Sequence, residues 1–160
     1  MTTEVQKEHE WLQQWVGEWA YECECMMEPG KPPEKFKGSE SVRTLGGFWV
    51  LCDGYSEMPG GGMAAMLTTL GYDSQQQRFV GSWVGSMMSH FWVYDGSLDT
   101  QKNVLTLDTE GPCCASDGKL VKQRDVIEVK NADQRLLNSY LLGENEEWQL
   151  FMTTHYWRVK

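Results

Sequence analysis

The spacing of apolar residues changes once along the chain. Between Val5 and Val16, the residues Val5, Trp11, Leu12, Trp15 and Val16 return at three- and four-residue steps, which is the signature of one helical face. Thr2 or Thr3 is placed to cap this helix, Glu4 and Glu8 lie near the positive end of its dipole, and Gly17 is placed to stop it. After Gly17 the period becomes two. Trp19, Tyr21, Cys23 and Cys25 share one side while Glu18, Glu22 and Glu24 share the other, so this is a half-buried strand with a carboxylate face. The turn Pro29-Gly30-Lys31-Pro32-Pro33 ends it, because three prolines cannot donate to a ladder.

Nine more segments repeat the two-residue alternation. They span Phe36–Leu45, Phe48–Glu57, Met63–Tyr72, Arg78–Gly85, His90–Leu98, Val104–Glu110, Lys119–Val129, Arg135–Leu142 and Trp148–Val159. Breaks rich in glycine, asparagine and aspartate separate them, including Gly46-Gly47 and Pro59-Gly60-Gly61-Gly62. About ten short strands joined by tight turns predict an all-β fold, an antiparallel up-and-down meander. A sheet of that length would leave two exposed edges, and closure into a barrel removes them. A barrel of eight to ten strands also leaves room inside for a ligand.

At 160 residues the chain suits a single barrel domain over residues 1–160, with the helix at about 5–16 and the barrel at about 17–159. Composition is ordinary in its 41% hydrophobic and 23% charged residues, but eight tryptophans call for a thick core or a lined cavity. The net charge of −9 repels phosphate backbones and anionic lipid, so neither nucleic acid nor a membrane surface is an expected partner. The first ten residues carry no apolar signal region, and no run approaches the roughly 18 residues that span a bilayer. With five cysteines, an odd number, the expectation is a cytoplasmic protein with reduced thiols.

Val16-Gly17-Glu18-Trp19, a Gly-x-Trp between a short helix and the first strand, resembles the opening of lipocalins and fatty-acid-binding proteins, the calycin-like barrels. In those barrels the Trp closes one end under a basic residue from the last strand, a role the resemblance gives to Arg158. More specifically, the chain resembles a bacterial family catalogued as domain of unknown function 1579. The likeness rests on Leu12 to Glu22, Thr44-Leu45-Gly46-Gly47-Phe48-Trp49-Val50, Met58-Pro59-Gly60-Gly61-Gly62 and Thr69-Leu70-Gly71-Tyr72-Asp73. It continues through Phe79 to Met88, Trp92-Val93-Tyr94-Asp95-Gly96, Leu105 to Pro112 and Arg124-Asp125-Val126-Ile127-Glu128. It implies a lipocalin-like barrel and brings no substrate and no catalytic residues.

The expected function is binding of a small, mostly apolar molecule inside the barrel. Trp19, Trp83, Trp92 and Tyr94 are the candidate lining residues, with His90 and Arg124 as polar anchors. Arg124 can instead pair with Asp108 or Glu110 in an outward ion-pair ladder, and His90 can be a structural histidine beside aromatics. A competing expectation is a barrel enzyme in which His90 works with Asp108 or Glu110 as acid and base. His155, near the C-terminus, is placed as in haem-binding barrels such as nitrobindin, but no other haem-pocket motif accompanies it, and no cofactor or metal is expected. Cys23 and Cys25 share a face at about 7 Å, and Cys113-Cys114 reads as an oxidisable loop pair. The chain has no Gly-x-Ser-x-Gly elbow, P-loop or dinucleotide fingerprint.

Several strands are apolar on both sides. Phe48, Val50 and Cys52 oppose Trp49 and Leu51, Phe91 and Val93 oppose Trp92 and Tyr94, and Leu137 and Leu141 oppose Leu136, Tyr140 and Leu142. One helix of about 18 Å cannot cover that much outer surface. A homodimer is therefore expected, with a sheet bent by bulges at Gly54, Gly81 or Gly96 as the alternative.

Overall fold

Alternation this regular leaves each strand with one apolar side to bury, and the chain does so by rolling its sheet into a closed barrel. The computed structural model describes residues 3–26, 30–58, 60–113 and 118–159. One helix, α1 (Lys7–Gln13), precedes ten strands: β1 (Gly17–Cys25), β2 (Glu34–Leu45), β3 (Trp49–Glu57), β4 (Met63–Asp73), β5 (Arg78–Gly85), β6 (Trp92–Asp99), β7 (Val104–Pro112), β8 (Leu120–Asn131), β9 (Gln134–Leu142) and β10 (Trp148–Arg158). Each strand pairs antiparallel with its sequence neighbours, and β1 pairs with β10 to close the ring.

The helix is shorter than its sequence pattern. It begins after Gln6, not at Thr3, and Thr2 lies outside the described residues. His9, fully buried, holds the start: its Nδ1 accepts the Gln6 N–H at 2.9 Å and its Nε2 bonds the Tyr72 carbonyl at 2.9 Å. After Gln13 the chain tightens into three-residue turns, Trp15 N to Leu12 O and Val16 N to Gln13 O. These turns send Trp15 into the barrel end and leave Val16 outside, and Val5, ahead of the helix, is exposed as well. Gly17, at φ 140°, makes the change to strand.

Leu12 and Trp15 plug one end above a core of Trp19, Val42, Val50, Leu70, Phe79, Leu105 and Leu107. Trp19 donates its indole N–H to the Trp15 carbonyl at 2.8 Å. Arg158 lies over the Trp19 ring at 4.3 Å and donates to the carbonyls of Gln14 and Val16, both at 2.7 Å. The closure implied for Trp19 and Arg158 by the lipocalin resemblance is therefore present.

Glycines let rings lie flat on the wall. A Cβ at Gly38 would strike the Tyr21 ring, and one at Gly111 would strike the Trp92 ring. No register shift occurs at Gly54, Gly81 or Gly96, the expected bulge sites; the shifts fall at Leu150/Met152 and Val129/Asn131. On the outer side, Trp49 covers Gly71. Tyr55, Met63, Val84, Phe91 and Val93 remain exposed on the adjacent strands β3 to β6 and the segment leading into β6.

Candidate functional site

Strand parity decides which side chains enter the lumen. The inward set of β1 is Trp19, Tyr21 and Cys23; in β2 it includes Gly38, Glu40 and Val42; in β8, Gln123, Asp125 and Ile127; and in β9, Arg135, Leu137 and Ser139. Charged and polar residues thus sit inside an otherwise apolar, aromatic-lined tube, in two groups.

The first group lies under the plug. Arg135 donates to Glu40, both side chains being almost wholly buried. The guanidinium is stacked 3.9 Å from the Tyr156 ring, 4.6 Å from Trp19 and 5.0 Å from Trp15. Burial opposes the charge on Arg135, but the Glu40 carboxylate, with Tyr156 and Cys52, outweighs it and raises its pKa. Burial likewise pushes the Tyr156 hydroxyl and the Cys52 thiol well above their ordinary ranges, with Glu40 adding to both, so neither supplies an anion near neutral pH.

The second group lies further from the plug. Tyr94 donates its hydroxyl to Asp125 Oδ2 at 2.8 Å. Asp125 is opposite Ser139 in register, Thr109 is opposite Gln123, and Leu107 faces Asp125 from β7. Thr109, Asp125 and Ser139 thus occupy three consecutive strands. Asp125 Oδ1, Ser139 Oγ and Thr109 Oγ1 are buried and make no well-formed hydrogen bond, although Ser139 and Gln123 lie close enough to Asp125 to favour its carboxylate; Arg135 Nη1 in the first group is also buried without a partner. Burial raises the Asp125 carboxyl pKa, while Ser139, Tyr94 and Gln123 pull it back only in part.

The residues singled out from the sequence divide between lumen, rim and outer surface. Trp92 and Tyr94 are buried and inward, with Trp83 the register partner of Trp92. Trp92 donates to Met88 Sδ at 3.2 Å. Trp19 belongs to the plugged end rather than to an open wall. His90 lies before β6, not within it; its Nε2 bonds the Glu110 carbonyl at 3.0 Å and its ring stands edge-on to Trp92 at 4.8 Å. Arg124 is on the outer face, paired through Nε with Asp108 at 2.6 Å and stacked on Trp148 at 4.4 Å. It is therefore one residue out of phase with the lumen and does not anchor anything there. Asp108 and Glu110 point outward as well, so His90 has no carboxylate partner from either, and the acid–base arrangement is not assembled. His155 is exposed on the outer face beside Glu22 and Leu136, which removes it from any lumen haem site.

Among the described residues no group of three or more His, Cys, Asp or Glu side chains converges to hold a metal. Burial raises the Cys23 thiol, and Cys114 lies outside the described residues. No described helix is long and apolar enough to cross a membrane.

Sequence reasoning missed Glu40, Asp125, Arg135, Ser139 and Thr109 as lumen residues. The signal was available for two of them. Glu40 shares parity with Phe36 and Val42, and Asp125 with Ile127 and Val129, so each is a charge set in an apolar series.

Two expectations follow for stability. Arg135→Met strands a buried carboxylate and is expected to cost about 3–5 kcal/mol in urea denaturation, whereas the double change Glu40→Leu/Arg135→Met costs much less. Equal losses would show that the pair is not coupled. Asp125 gives a pH signature. Because its folded pKa is raised, its contribution is fully present below the unfolded pKa and is lost as pH rises through the folded value. Asp125→Asn keeps the acceptor for Tyr94 and removes the titration. Its stability relative to the parent protein should therefore increase as pH rises from the ordinary carboxylate range through the raised value. A constant difference over that range would contradict the assignment.

The structure is similar to the crystal structure of Rv2717c from M. tuberculosis, with a TM-score of 0.66 and 11% identity over 98% of this chain and 100% of that one. Two further barrels align at a TM-score of 0.49. EF1p2_mFAP2b bound to DFHBI is 10% identical over 94% of this chain and 98% of that one, and the redesigned beta barrel b11L5F_LGL is 7% identical over 99% and 100%. At such identities the likeness to Rv2717c concerns the fold alone. No curated protein sequence matches the chain. The family described as Protein of unknown function (DUF1579) matches residues 4–158, nearly the whole barrel with its plug, and the chain belongs to that family.

Proposed function

We propose that the protein binds a small, mostly apolar molecule in the lumen of its barrel. The observation that carries this reading is the set of inward, buried oxygens of Thr109, Asp125 and Ser139 on adjacent strands, none with a well-formed hydrogen bond. Buried polar atoms in native proteins nearly always have well-formed hydrogen bonds, so this group, in which Ser139 and Gln123 favour the Asp125 carboxylate without completing such bonds, keeps hydrogen-bonding capacity for a molecule from outside the chain. The surroundings suit an apolar body: Tyr94 and Trp92 are buried on the neighbouring wall, and Trp83 faces Trp92. A fold of ten strands encloses more width than the eight-stranded barrels whose interiors just hold one small ligand. His90 stands at the rim beside Trp92, where it can border an entrance opposite the plug.

Titration of fatty acids, retinoids and flavins against the intrinsic tryptophan fluorescence tests the proposal. Saturable quenching at one ligand per chain is the expected result, weakened in a Trp92→Phe variant. Failure of all three classes to quench would overturn it.

A second reading concerns assembly and rests on a separate observation. Phe91 and Val93 are 59% and 58% exposed, and Tyr55 and Met63 are 52% and 62% exposed, all on the outer side of β3 to β6 and the approach to β6. Register places Val84 opposite Leu67, whereas Ser82, bonded to Thr69, stands opposite Val93, so the exposed apolar residues lie on neighbouring strands with a polar pair among them. Two copies of this chain meeting about a two-fold axis would cover them. Light scattering is expected to give twice the 18.4 kDa chain mass at micromolar concentration, and the monomer mass for Val93→Asp. A parent protein that scatters as a monomer would end this reading.

A further inference from the structure

The chemistry of the lumen narrows the ligand class, an inference that rests on the proposed binding in the lumen. We propose that the barrel takes an uncharged molecule with a ring-sized apolar body and an N–H or O–H donor aimed at Asp125, and that it discriminates against anions.

The argument begins with which lumen charges are already matched. Arg135 is the cation of the upper group, and it is paired with Glu40 under three aromatic rings. Arg158, at the plug, is engaged with the carbonyls of Gln14, Val16 and Ala132. Arg124, the cation expected to anchor a ligand head group, is outside and paired with Asp108. Arg135 Nη1 is without a partner, but it lies under the plug beside the Glu40 carboxylate, four residues along β9 from Ser139. Among the described residues, the inward neighbours of Asp125 (Gln123, Ile127, Leu107, Thr109, Leu137 and Ser139) include no cation to receive a carboxylate, sulfonate or phosphate there.

The unmatched atoms have the opposite preference. Asp125 Oδ1 is an acceptor, since Tyr94 already donates to Oδ2. Ser139 Oγ and Thr109 Oγ1 flank it from β9 and β7, and each hydroxyl can donate or accept. The trio can receive one donor and return a hydrogen bond to an adjacent carbonyl or hydroxyl. A carboxamide, lactam, imide or phenol edge fits that arrangement. At a pH where Asp125 is ionised, a carboxylate brought to the same place meets a buried carboxylate oxygen, a like-charge contact in a low-dielectric interior. Flat rings on the wall, Tyr21 over Gly38 and Trp92 over Gly111, keep the aromatic surface against the barrel and favour a planar body.

A matched naphthalene series separates this inference from the reading beneath it. The full chain at pH 8 is titrated calorimetrically with 2-naphthamide, 2-naphthol, 2-methylnaphthalene and 2-naphthoate. The expected order places naphthamide and naphthol first and naphthoate last, with about a tenfold or larger gap between amide and carboxylate, the size of one hydrogen bond to a charged group. Asp125→Asn, with folding checked by circular dichroism, is expected to shrink that gap, and Ser139→Ala to weaken the amide while leaving methylnaphthalene unchanged. If naphthoate binds as tightly as naphthamide to the parent protein, the inference fails while lumen binding stands. If none of the four binds, both fail.

Discussion

The barrel's closed end depends on one buried charge pair. Arg135 stands where four separate parts of the chain meet: Glu40 from β2, Trp19 from β1, Tyr156 from β10 and Trp15 from the segment after α1. A guanidinium can serve all of them together because its plane stacks on rings while its edge donates to a carboxylate. An ammonium would satisfy the carboxylate and leave the rings without a flat partner. The pair's attraction and ring contacts offset the desolvation of both charges, and they fix how β9 and β2 face each other across the β1–β10 seam. Trp15 is drawn into the same contact, which ties the plug to the wall and leaves the short helix anchored although it has only two turns.

Beyond that clasp the interior changes character. The plug end is a packed core in which Leu12, Phe79 and Leu105 are almost entirely inaccessible and where side chains meet side chains. Further along, Asp125, Ser139 and Thr109 present oxygens that the chain itself does not fully satisfy. One end of the tube is built for stability and the middle holds unspent hydrogen-bonding capacity.

The same pleat that organises the lumen sorts the surface. Arg124 and Asp125 are neighbours in sequence, yet Arg124 stacks on Trp148 outside while Asp125 bonds Tyr94 inside. Charge carried one residue out of phase is surface charge, and its pairing with Asp108 in water contributes little to stability. The carboxylates that looked like acid–base partners for His90 fall on this outer side for the same reason, since Asp108 and Glu110 alternate with the inward Leu107 and Thr109.

The sequence by itself determined the class and order of the architecture. Arg78–Gly85 is reproduced residue for residue and the other strands to within two residues, because alternation and glycine-rich turns act over a few residues and need no distant partner. It also determined that Trp92 and Tyr94 share a side, a consequence of the pleat alone. It did not decide which side was the inside wherever both were apolar, as in Leu136 to Leu142, where the pattern is equally consistent with either parity. It overextended α1 because Val5 and Val16 match the helical period, whereas His9 and the turns that carry Trp15 inward set the real limits. The site was the least legible part. Glu40 and Arg135 are 95 residues apart, and Tyr94 and Asp125 are 31 apart. Only closure of the ring, which makes β1 and β10 neighbours, brings β9 and β2 to opposite sides of one seam and turns two isolated charges into a buried pair. A local pattern cannot report that, because the energy of a buried charge depends on a partner supplied by the tertiary fold.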